Sequence, residues 1–191
     1  MNEIVKEFFD NIAVNYRHDD SKVIDELIDS LMLHENSKVL DLGCGKGIIS
    51  EKLVNKTKGE VIALDLSSKM IELAKENISN PKVTFVNQDF YSFSGYQFDA
   101  IVCFDAYPHF LDVEGFAAKA NELLKSDGVL AIIHDIGRGE LNKHHASHAV
   151  KVSRLLKDPQ EEVKPFLKYF KPIELFENEN IYKIIVIKKD L

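Results

Sequence analysis

Cysteines and long apolar segments are scarce in this sequence. It contains two cysteines, Cys44 and Cys103, which suit a reducing compartment and are expected to be small packing residues at strand ends rather than a disulfide. No apolar run approaches the roughly 20 residues that a membrane-spanning helix needs. Residues 1–7 lack the basic and apolar regions of a signal peptide. We therefore expect a soluble, cytoplasmic protein with no membrane partner.

Clustered basic residues are also missing. The formal net charge is −7, and no stripe of lysine and arginine with interleaved aromatic residues supplies the basic surface that binding to a phosphate backbone requires. Nucleic acid is therefore not an expected partner, and a small-molecule substrate is favoured. Internal repeats, low-complexity tracts and flexible linkers are absent too. With 191 residues, 45% of them hydrophobic, the chain is expected to form one domain over residues 1–191.

The most informative segment that is present is KVLDLGCGKG at residues 38–47. Its apolar beginning predicts a strand, and the glycines at alternate positions allow a tight turn whose backbone can approach a ligand closely. A dinucleotide-binding fingerprint would place its third glycine at position 48, which is Ile48. A P-loop would have serine or threonine after Lys46, where this chain has Gly47. Both phosphate-binding motifs are therefore excluded.

The spacing Asp41-x-Gly43-x-Gly45-x-Gly47 resembles the first motif of the class I S-adenosylmethionine (SAM) dependent methyltransferases. In that family the acid approaches the amino group of the cofactor's methionine part, which implies this role for Asp41. The resemblance implies methyl transfer from SAM, with S-adenosylhomocysteine (SAH) as the product. It also implies that the cofactor contacts Tyr16, Asp41, Gly43, Cys44, Gly45, Gly47, Asp65, Leu66, Met70, Asp89, Phe90 and Phe104.

Two further acids follow predicted strands. Asp65 ends a short apolar run about 20 residues beyond the glycine loop, where doubly wound folds have a carboxylate that binds ribose hydroxyls. Asp89 follows a third predicted strand, and with Phe90 it resembles the adenine-contacting pair of the family. Each acid also has an ordinary structural explanation, as a loop acid for Asp41, a helix cap for Asp65 and a turn residue for Asp89. Three acids at successive strand ends favour the functional interpretation, because open parallel sheets bind ligands at those ends.

Strand-like and helix-like segments alternate along the chain. Together with the family resemblance this pattern implies an α/β fold: a doubly wound, Rossmann-like sheet of seven strands, mostly parallel, with an antiparallel C-terminal hairpin and helices on both faces. The predicted elements are helices at 47–58, 68–78 and 112–124, strands at 60–65, 83–90, 98–105 and 129–133, a turn at 125–128, and two strands within 171–187. Residues 1–35 are expected to form N-terminal helices and a lid over a core of residues 36–191. Tyr16 either closes that lid over the cofactor or packs at a helix end.

Candidate catalytic residues lie beyond the cofactor motifs. Because ligands bind where parallel strands end, His134 and Arg138 after the fifth predicted strand are expected to face the methyl acceptor. These two residues and His145 match a His-x-x-Gly-Arg...Leu-Asn-x-x-His pattern that resembles a subset of small class I methyltransferases. After the fourth predicted strand, Asp105 and His109 are candidate general bases, with a packing role as the alternative for His109. The catalytic candidates are therefore Asp105, His109, His134, Arg138 and His145.

The remaining histidines leave other functions open. His144 and His148 are four residues apart, a helical spacing that can hold a transition metal. No second set of ligands with metal-binding spacing is present, so a solvated helix face is favoured and no metal is predicted. A non-catalytic SAM-binding module and a metal-handling protein on the same fold remain the alternatives to a methyltransferase of small molecules. The pattern leaves the acceptor atom and the oligomeric state open.

Overall fold

The computed structural model describes residues 2–16, 22–147 and 152–190. Within them the helices are α1 (Asn2–Ile12), α2 (Lys22–Ser30), α3 (Ile48–Thr57), α4 (Ser68–Asn77), α5 (Val113–Leu123), α6 (Arg138–Ser147) and α7 (Pro159–Glu162). The strands are β1 (Val39–Leu42), β2 (Val61–Asp65), β3 (Val83–Asn87), β4 (Phe98–Phe104), β5 (Leu124–His134), β6 (Phe170–Glu177) and β7 (Tyr182–Lys188). Short 3-10 helices cover Phe90–Ser92, Tyr107–His109 and Lys164–Lys168. None of the helices in this part of the chain combines the length and the apolarity needed to cross a bilayer.

The strands form a single sheet in the order β3-β2-β1-β4-β5-β7-β6. Strands β1 to β5 pair in parallel, whereas β7 runs antiparallel to both β5 and β6. The chain adds strands on one side of β1 up to β3 and then on the other side from β4 onward, so the strand order reverses between β1 and β4. Open α/β sheets bind their ligands at the carboxyl ends of the strands beside such a reversal. The predicted doubly wound, seven-stranded fold with an antiparallel hairpin is confirmed.

Helices cover both faces of the sheet, because its central strands are apolar on both sides. Leu40 of β1 packs with residues of α5 on one face. Val39, the preceding residue, packs on the opposite face with Ile24 of α2 and with residues of α3. Helix α2, which lies within the N-terminal helices predicted for residues 1–35, therefore belongs to a helical layer of the core. The segment that covers the cleft is α1 together with residues 13–16.

The turn predicted at 125–128 is part of strand β5. Phe98 of β4 pairs with Leu124, and Ala100 pairs with Val129, so two steps along β4 correspond to five steps along β5. The additional residues of β5 bulge out of the ladder between these two pairs. A polar segment with glycine suits a bulge as well as it suits a turn. Only the pairing with β4, which the local sequence does not specify, distinguishes the two.

Candidate active site

A cleft lies at the carboxyl ends of β1, β2 and β4, beneath α1. The space between its walls, including the part open to solvent, amounts to about 1080 Å³. We call the part lined by residues of β1 to β3 and their following loops the cofactor half, and the part lined by residues after β4 and by α1 the acceptor half. Most of the predicted cofactor contacts line this cleft: Tyr16, Asp41, Gly43, Cys44, Gly45, Asp65, Leu66, Met70, Asp89, Phe90 and Phe104.

The glycine loop after β1 forms part of the cleft wall. Gly43 has φ +75°, and a Cβ at this position would lie 2.5 Å from the Cβ of Ala106, because the loops after β1 and β4 meet here. Gly45 has φ +51°, and a Cβ there would meet no atom within 4 Å. The backbone at Gly45 therefore faces open space, which a ligand can approach closely. Gly47 directly precedes α3 and lies outside the cleft lining, so the structure does not bring this predicted contact to the site.

Asp41 lies at the centre of the cofactor half with 1% of its surface exposed. The hydroxyl of Ser50 in α3 donates a hydrogen bond of 2.5 Å to its Oδ2. Burial raises the pKa of Asp41 to about 7, an effect that the Ser50 hydrogen bond opposes and the nearby Asp65 carboxylate reinforces. A cation brought to this carboxylate would offset the cost of burying its charge. The ammonium group of an amino-acid ligand meets that requirement.

Asp65 connects the glycine loop to the start of α4. Its two oxygens accept hydrogen bonds from the amide of Gly45 at 2.9 Å and the amide of Ser67 at 2.8 Å. Ser67 in turn caps α4 by accepting a hydrogen bond from the amide of Met70. A carboxylate has about four lone-pair sites, so Asp65 retains capacity to accept hydrogen bonds from hydroxyl groups on the side that lines the cleft. Burial raises the pKa of Asp65 to about 6, although both amide hydrogen bonds oppose the shift. The structural and ligand-binding interpretations of this acid are therefore compatible.

Asp89 and Phe90 occupy the next strand end. Oδ1 of Asp89 accepts a hydrogen bond of 2.9 Å from the amide of Tyr91 and caps the short 3-10 helix that follows. The ring of Phe90 is buried, and its centroid lies 5.7 Å from that of Phe110. The space beside Asp89 and Phe90, called the slot here, therefore combines a carboxylate with apolar surface. Such a site suits a flat heterocycle that carries exocyclic hydrogen-bond donors. The residues of this slot that were predicted from the family resemblance are Leu66, Met70, Asp89 and Phe90.

Helix α1 is anchored to the start of α4. Oδ1 of Asp10 accepts hydrogen bonds from Ser67 Oγ at 2.6 Å and from the amide of Lys69 at 3.0 Å. Lys6 Nζ donates to Oδ2 of the same carboxylate at 2.8 Å. Burial disfavours the charged form of Asp10, but these hydrogen bonds outweigh it and lower its pKa to about 2. The negative charge also suits the positive end of the α4 dipole. Helix α1 is thus fixed to the helix start that Asp65 organises.

The segment that covers the cleft, α1 with residues 13–16, is called the lid here. Asp10 fixes its helical part, and Lys46 of the glycine loop fixes residues 13–16. Its Nζ donates a hydrogen bond of 2.7 Å to the carbonyl of Tyr16 and a weaker one of 3.4 Å to the carbonyl of Val14. Tyr16 lines the cleft, and its ring centroid lies 6.5 Å from that of Phe9, which lines the cleft from α1. The structure therefore puts Tyr16 over the site, where its predicted lid role requires it to be.

His109 lines the acceptor half. Its Nδ1 lies 2.8 Å from the carbonyl oxygen of Val152, and because a carbonyl can only accept, we assign the proton to Nδ1 and leave Nε2 of the neutral ring as an acceptor. Burial lowers the pKa of His109 to about 4, so the ring is neutral at physiological pH. The rings of Phe9 and His145 pack edge-on against it, with centroids 4.7 and 5.1 Å away. His145 therefore contacts His109, which lines the cleft, and does not itself line it.

Asp105 ends β4 with φ +51°, a left-handed conformation that is costly for a residue with a Cβ and that persists where the surroundings enforce it. Its Oδ1 accepts a hydrogen bond of 3.3 Å from the amide of Asp135 and lies 3.2 Å from Nδ1 of His134. His134 is fully buried and lies outside the cleft lining. The structure therefore brings Asp105 to the cleft, while His134 contacts this carboxylate from the protein interior.

Arg138 does not reach the cleft, in contrast to the expectation that it faces the acceptor. Its guanidinium donates two hydrogen bonds, of 2.7 and 3.0 Å, to Glu177 of β6 and so joins α6 to the C-terminal hairpin. His144 is 64% exposed and lies 3.8 Å from Glu140. His148 lies outside the described residues. Across the described ranges, no three His, Cys, Asp or Glu side chains converge as metal ligands would.

The comparisons with known proteins agree with this geometry. A family model described as a methyltransferase domain matches residues 39–128, which contain the glycine loop, Asp65 and Asp89. The malonyl-[acyl-carrier protein] O-methyltransferase of Acetivibrio thermocellus is 27% identical over 180 residues, covering 88% of this chain and 62% of that protein. Residues 39–128 therefore belong to a methyltransferase domain, in agreement with the class I SAM-dependent family that the glycine-loop motif resembles. The chain spans about half of the length of other curated relatives that it matches.

Solved structures share the fold of this methyltransferase domain. A chain of the complex between the Haloferax volcanii Trm112 methyltransferase activator and a methyltransferase superposes with a TM-score of 0.77 at 14% identity, covering 95% of this chain and 98% of that one. Magnesium protoporphyrin IX methyltransferase from Synechocystis, solved with bound SAH, gives a TM-score of 0.74 at 17% identity, covering 99% and 100%. The predicted family and its cofactor, SAM, are confirmed.

The cleft of the methyltransferase domain fits this cofactor on three observations. Open space faces the backbone at Gly45, as close approach of a ligand requires. The carboxylates of the buried Asp41 and the half-buried Asp65 both have raised pKa values, and a ligand with an ammonium and a sulfonium group would relieve that cost. The side chains of Leu66, Met70 and Phe90 line the cleft beside the carboxylate of Asp89, so a purine ring finds apolar surface together with a hydrogen-bond acceptor.

Two contacts of the methyltransferase domain were missed by sequence reasoning. In the sequence, Lys46 indicates only that the glycine loop is not a P-loop. Asp10 is one of several polar residues in the amphipathic helix α1, and nothing in the sequence distinguishes it from the others. Both side chains hold α1 and residues 13–16 over the cleft. Their roles depend on where α1 crosses the glycine loop and α4, and no local sequence pattern encodes that crossing.

Proposed function

We propose that this protein is an enzyme that transfers a methyl group from SAM to a small-molecule acceptor. The single observation that supports this most is the convergence of Asp41, Asp65 and the open backbone at Gly45 in one cleft that continues into an aromatic-lined space beyond them. SAM, when bound, supplies a methyl group that is already activated on a sulfonium. The chain therefore needs to hold an acceptor in line with that methyl group and to receive its proton where one is released.

We propose His109 as the residue that contacts the acceptor's nucleophilic atom. Its ring is neutral, and the hydrogen bond between Nδ1 and the Val152 carbonyl leaves Nε2 as the acceptor atom. A positioned hydrogen-bond acceptor orients an O–H, N–H or S–H donor and can take its proton. Because burial makes the imidazole a weak base, orientation of the nucleophile is its larger contribution. His145 packs against this ring and acts as a positioning residue.

We propose a second contact from Asp105. The left-handed backbone and the contact with His134 hold its carboxylate at the end of β4. Strain of this kind is concentrated at functional sites. Asp105 therefore binds the acceptor or the donor's cationic end, and His134 is a positioning residue for it. Arg138 acts at a distance, by fixing the start of α6 through Glu177.

The test combines cofactor binding with turnover. Isothermal calorimetry measures SAM affinity, and mass spectrometry of SAH measures turnover with a panel of phenols, amines and thiols. We expect SAM to bind and SAH to accumulate with at least one acceptor. Absence of SAM binding would exclude the proposed cofactor site. SAM binding without SAH release from a broad panel would instead favour the non-catalytic binding module, and stoichiometric metal in the purified protein, lost in His134→Ala and His145→Ala, would favour the metal-handling alternative.

A further inference from the structure

Aromatic rings dominate the acceptor half of the cleft. From α1 and the lid, Phe9 and Tyr16 face the cleft together with the ring of His109. The cleft lining also contains Phe110, after β4, whose ring centroid lies 6.4 Å from that of Tyr91 at the border with the cofactor half. Flat, rigid side chains of this kind bind aromatic or apolar groups over a large area at little cost in side-chain entropy.

Carboxyl groups outnumber basic side chains in the lining of the same cleft. The carboxylates that line it are Asp41, Asp65, Asp89 and Asp105. Among residues 2–16, 22–147 and 152–190, the one lysine or arginine in the lining is Lys46. Its Nζ is turned toward the carbonyls of Val14 and Tyr16, so it serves the lid.

Arg154 and Arg138, the arginines among the described residues, are paired with carboxylates, while Nη2 of Arg154 is buried without a hydrogen-bond partner of its own. Nη1 of Arg154 lies 2.7 Å from Oε1 of the buried Glu162, and its guanidinium stacks over the ring of Tyr107 at 4.5 Å. Arg138 is paired with Glu177. Neither arginine lines the cleft. A carboxylate or phosphate group in the acceptor half would therefore meet no cation among the described residues that is not already paired.

The environment of Tyr16 agrees with a negative potential in the acceptor half. Burial raises the pKa of its hydroxyl to about 12, and the carboxylates of Asp105, Asp65 and Asp135 add to that shift. An anionic ligand brought beside this hydroxyl would experience the same repulsion. In a partly desolvated cleft, repulsion between like charges costs several times more than in water.

We propose that the methyl acceptor is an uncharged or cationic small molecule with an aromatic or flat apolar group, and that the cleft rejects acceptors carrying a carboxylate or a phosphate. This inference rests on the proposed function, because it assigns the acceptor half of the same cleft. The rings provide the attraction, including cation–π contact for an amine. The carboxylates provide the discrimination, since specificity can come from repelling the wrong ligand.

The test uses three probes that share one ring system: 2-naphthol, 2-naphthylmethylamine and 2-naphthoate. Calorimetry measures their binding to the full chain saturated with SAH at neutral pH. We expect naphthoate to bind at least about ten-fold more weakly than the other two, a difference of roughly 1.4 kcal/mol. Naphthoate binding as tightly as naphthol, or no binding of any of the three, would overturn the inference. Failure of SAH to bind would overturn the proposed cofactor site, an outcome visible before any probe is added.

Variants test whether the Asp105 carboxylate causes the weaker binding of naphthoate relative to naphthol. Asp105→Asn removes one carboxylate from the acceptor half and should narrow the ratio of naphthoate to naphthol dissociation constants by about three-fold or more. Glu114→Gln, on the exposed side of α5, is the matched control and should leave the ratio unchanged. An unchanged ratio in Asp105→Asn would contradict the assigned role of that charge. Arg17 and Lys151 lie outside the described residues, and tight naphthoate binding that Arg17→Gln or Lys151→Gln abolishes would also overturn the inference.

Discussion

The two halves of the cleft are built from contacts of very different range along the chain. In the cofactor half, Asp41 and Ser50 are 9 residues apart, and Asp65 binds Gly45 at a separation of 20. In the acceptor half, His109 binds the carbonyl of Val152 across 43 residues. The cofactor half is therefore nearly complete within one stretch of chain. The acceptor half requires distant segments to dock.

This difference separates binding of the donor from selection of the acceptor. The short-range half contains the glycine loop and the three acids that recur at successive strand ends, and residues 39–128 that match the methyltransferase model include all of them. The long-range half depends on the segment from residue 152 to 157, which packs on the loop after β4. There, Asn142 of α6 binds both the amide and the carbonyl of Leu156 at 2.9 Å. We infer that donor binding and acceptor choice can be altered separately, and mutations on either side test this.

The largest expected effect is on the cofactor half. Asp65→Ala should weaken SAM binding by several hundred-fold, because about two charge-assisted hydrogen bonds to hydroxyl groups are lost, together worth roughly 3 to 4 kcal/mol. Calorimetry with SAM measures the loss. Glu76→Ala, an exposed acid on α4, is the control. Since Asp65 also binds two backbone amides, circular dichroism must show that the variant is folded, and a folded variant with unchanged affinity would exclude the predicted ribose contact.

A mutation in the acceptor half should lower the rate of methyl transfer and leave SAM affinity unchanged. His109→Gln is expected to lower kcat by about 100-fold, because the nucleophile is no longer held at the position that Nε2 fixes, and to leave the SAM dissociation constant within about two-fold of the original. Steady-state kinetics with the acceptor identified in the screen, together with calorimetry, give both values. His144→Gln, which changes an exposed histidine of α6, should alter neither. If His109→Gln lost SAM affinity instead, the two halves would not be separable.

The free-energy cost of burying the Asp41 charge in the cofactor half can be measured from the pH dependence of protein stability. The folded pKa of Asp41, about 7, lies above the ordinary value of 3.8, so the stability that Asp41 contributes is present at low pH and is lost as the pH rises toward and through about 7. Asp41→Asn cannot ionise and lacks this loss. Its unfolding free energy, relative to the original protein, should therefore improve by roughly 2 to 3 kcal/mol between about pH 5 and about pH 8 in the absence of SAM. Urea unfolding followed by circular dichroism gives the comparison, and parallel pH profiles would contradict it.

The smallest expected effect concerns the lid that joins the two halves. Lys46→Met keeps the aliphatic stem and removes the hydrogen bonds to the carbonyls of Val14 and Tyr16. We expect SAM to dissociate about three- to ten-fold faster, because a hydrogen bond from a charged group contributes roughly 1 kcal/mol or somewhat more. Stopped-flow displacement measures the rate. Lys52→Met, which removes the ion pair with Asp25 on the outer side of α3, is the matched control and should not change it.

Prediction from the sequence succeeded where a feature is local. The strand ends, the glycine loop and the helices α3, α4 and α5 follow from hydrophobic period and turn chemistry within short windows. Prediction failed for features that depend on which strands pair or on which distant segments dock. The segment 125–128 forms a bulge because β4 pairs on both sides of it, and Gly47 lies outside the cleft although it belongs to the same motif as Gly45.

The histidine-rich segment shows the same limit. His134, Arg138 and His145 follow one strand end and share one pattern, yet they have three different environments: beneath Asp105, beside Glu177 and against His109. One-dimensional spacing locates such residues near a site without giving their orientation. The assignment of His109 as the acceptor contact became possible only with the position of the Val152 carbonyl.

The sequence by itself, through the resemblance of its glycine-loop motif to a known family, indicated the family, the cofactor and the doubly wound sheet, because the motif residues lie close together in the chain and parallel sheets bind ligands at their carboxyl ends. Only the tertiary structure decided which lysine holds the lid, which histidine lines the cleft and which carboxyl groups line it together with the aromatic rings. Those properties arise from docking of segments tens of residues apart. The free energy of such docking depends on shape and burial across the whole fold, which no short window of sequence contains.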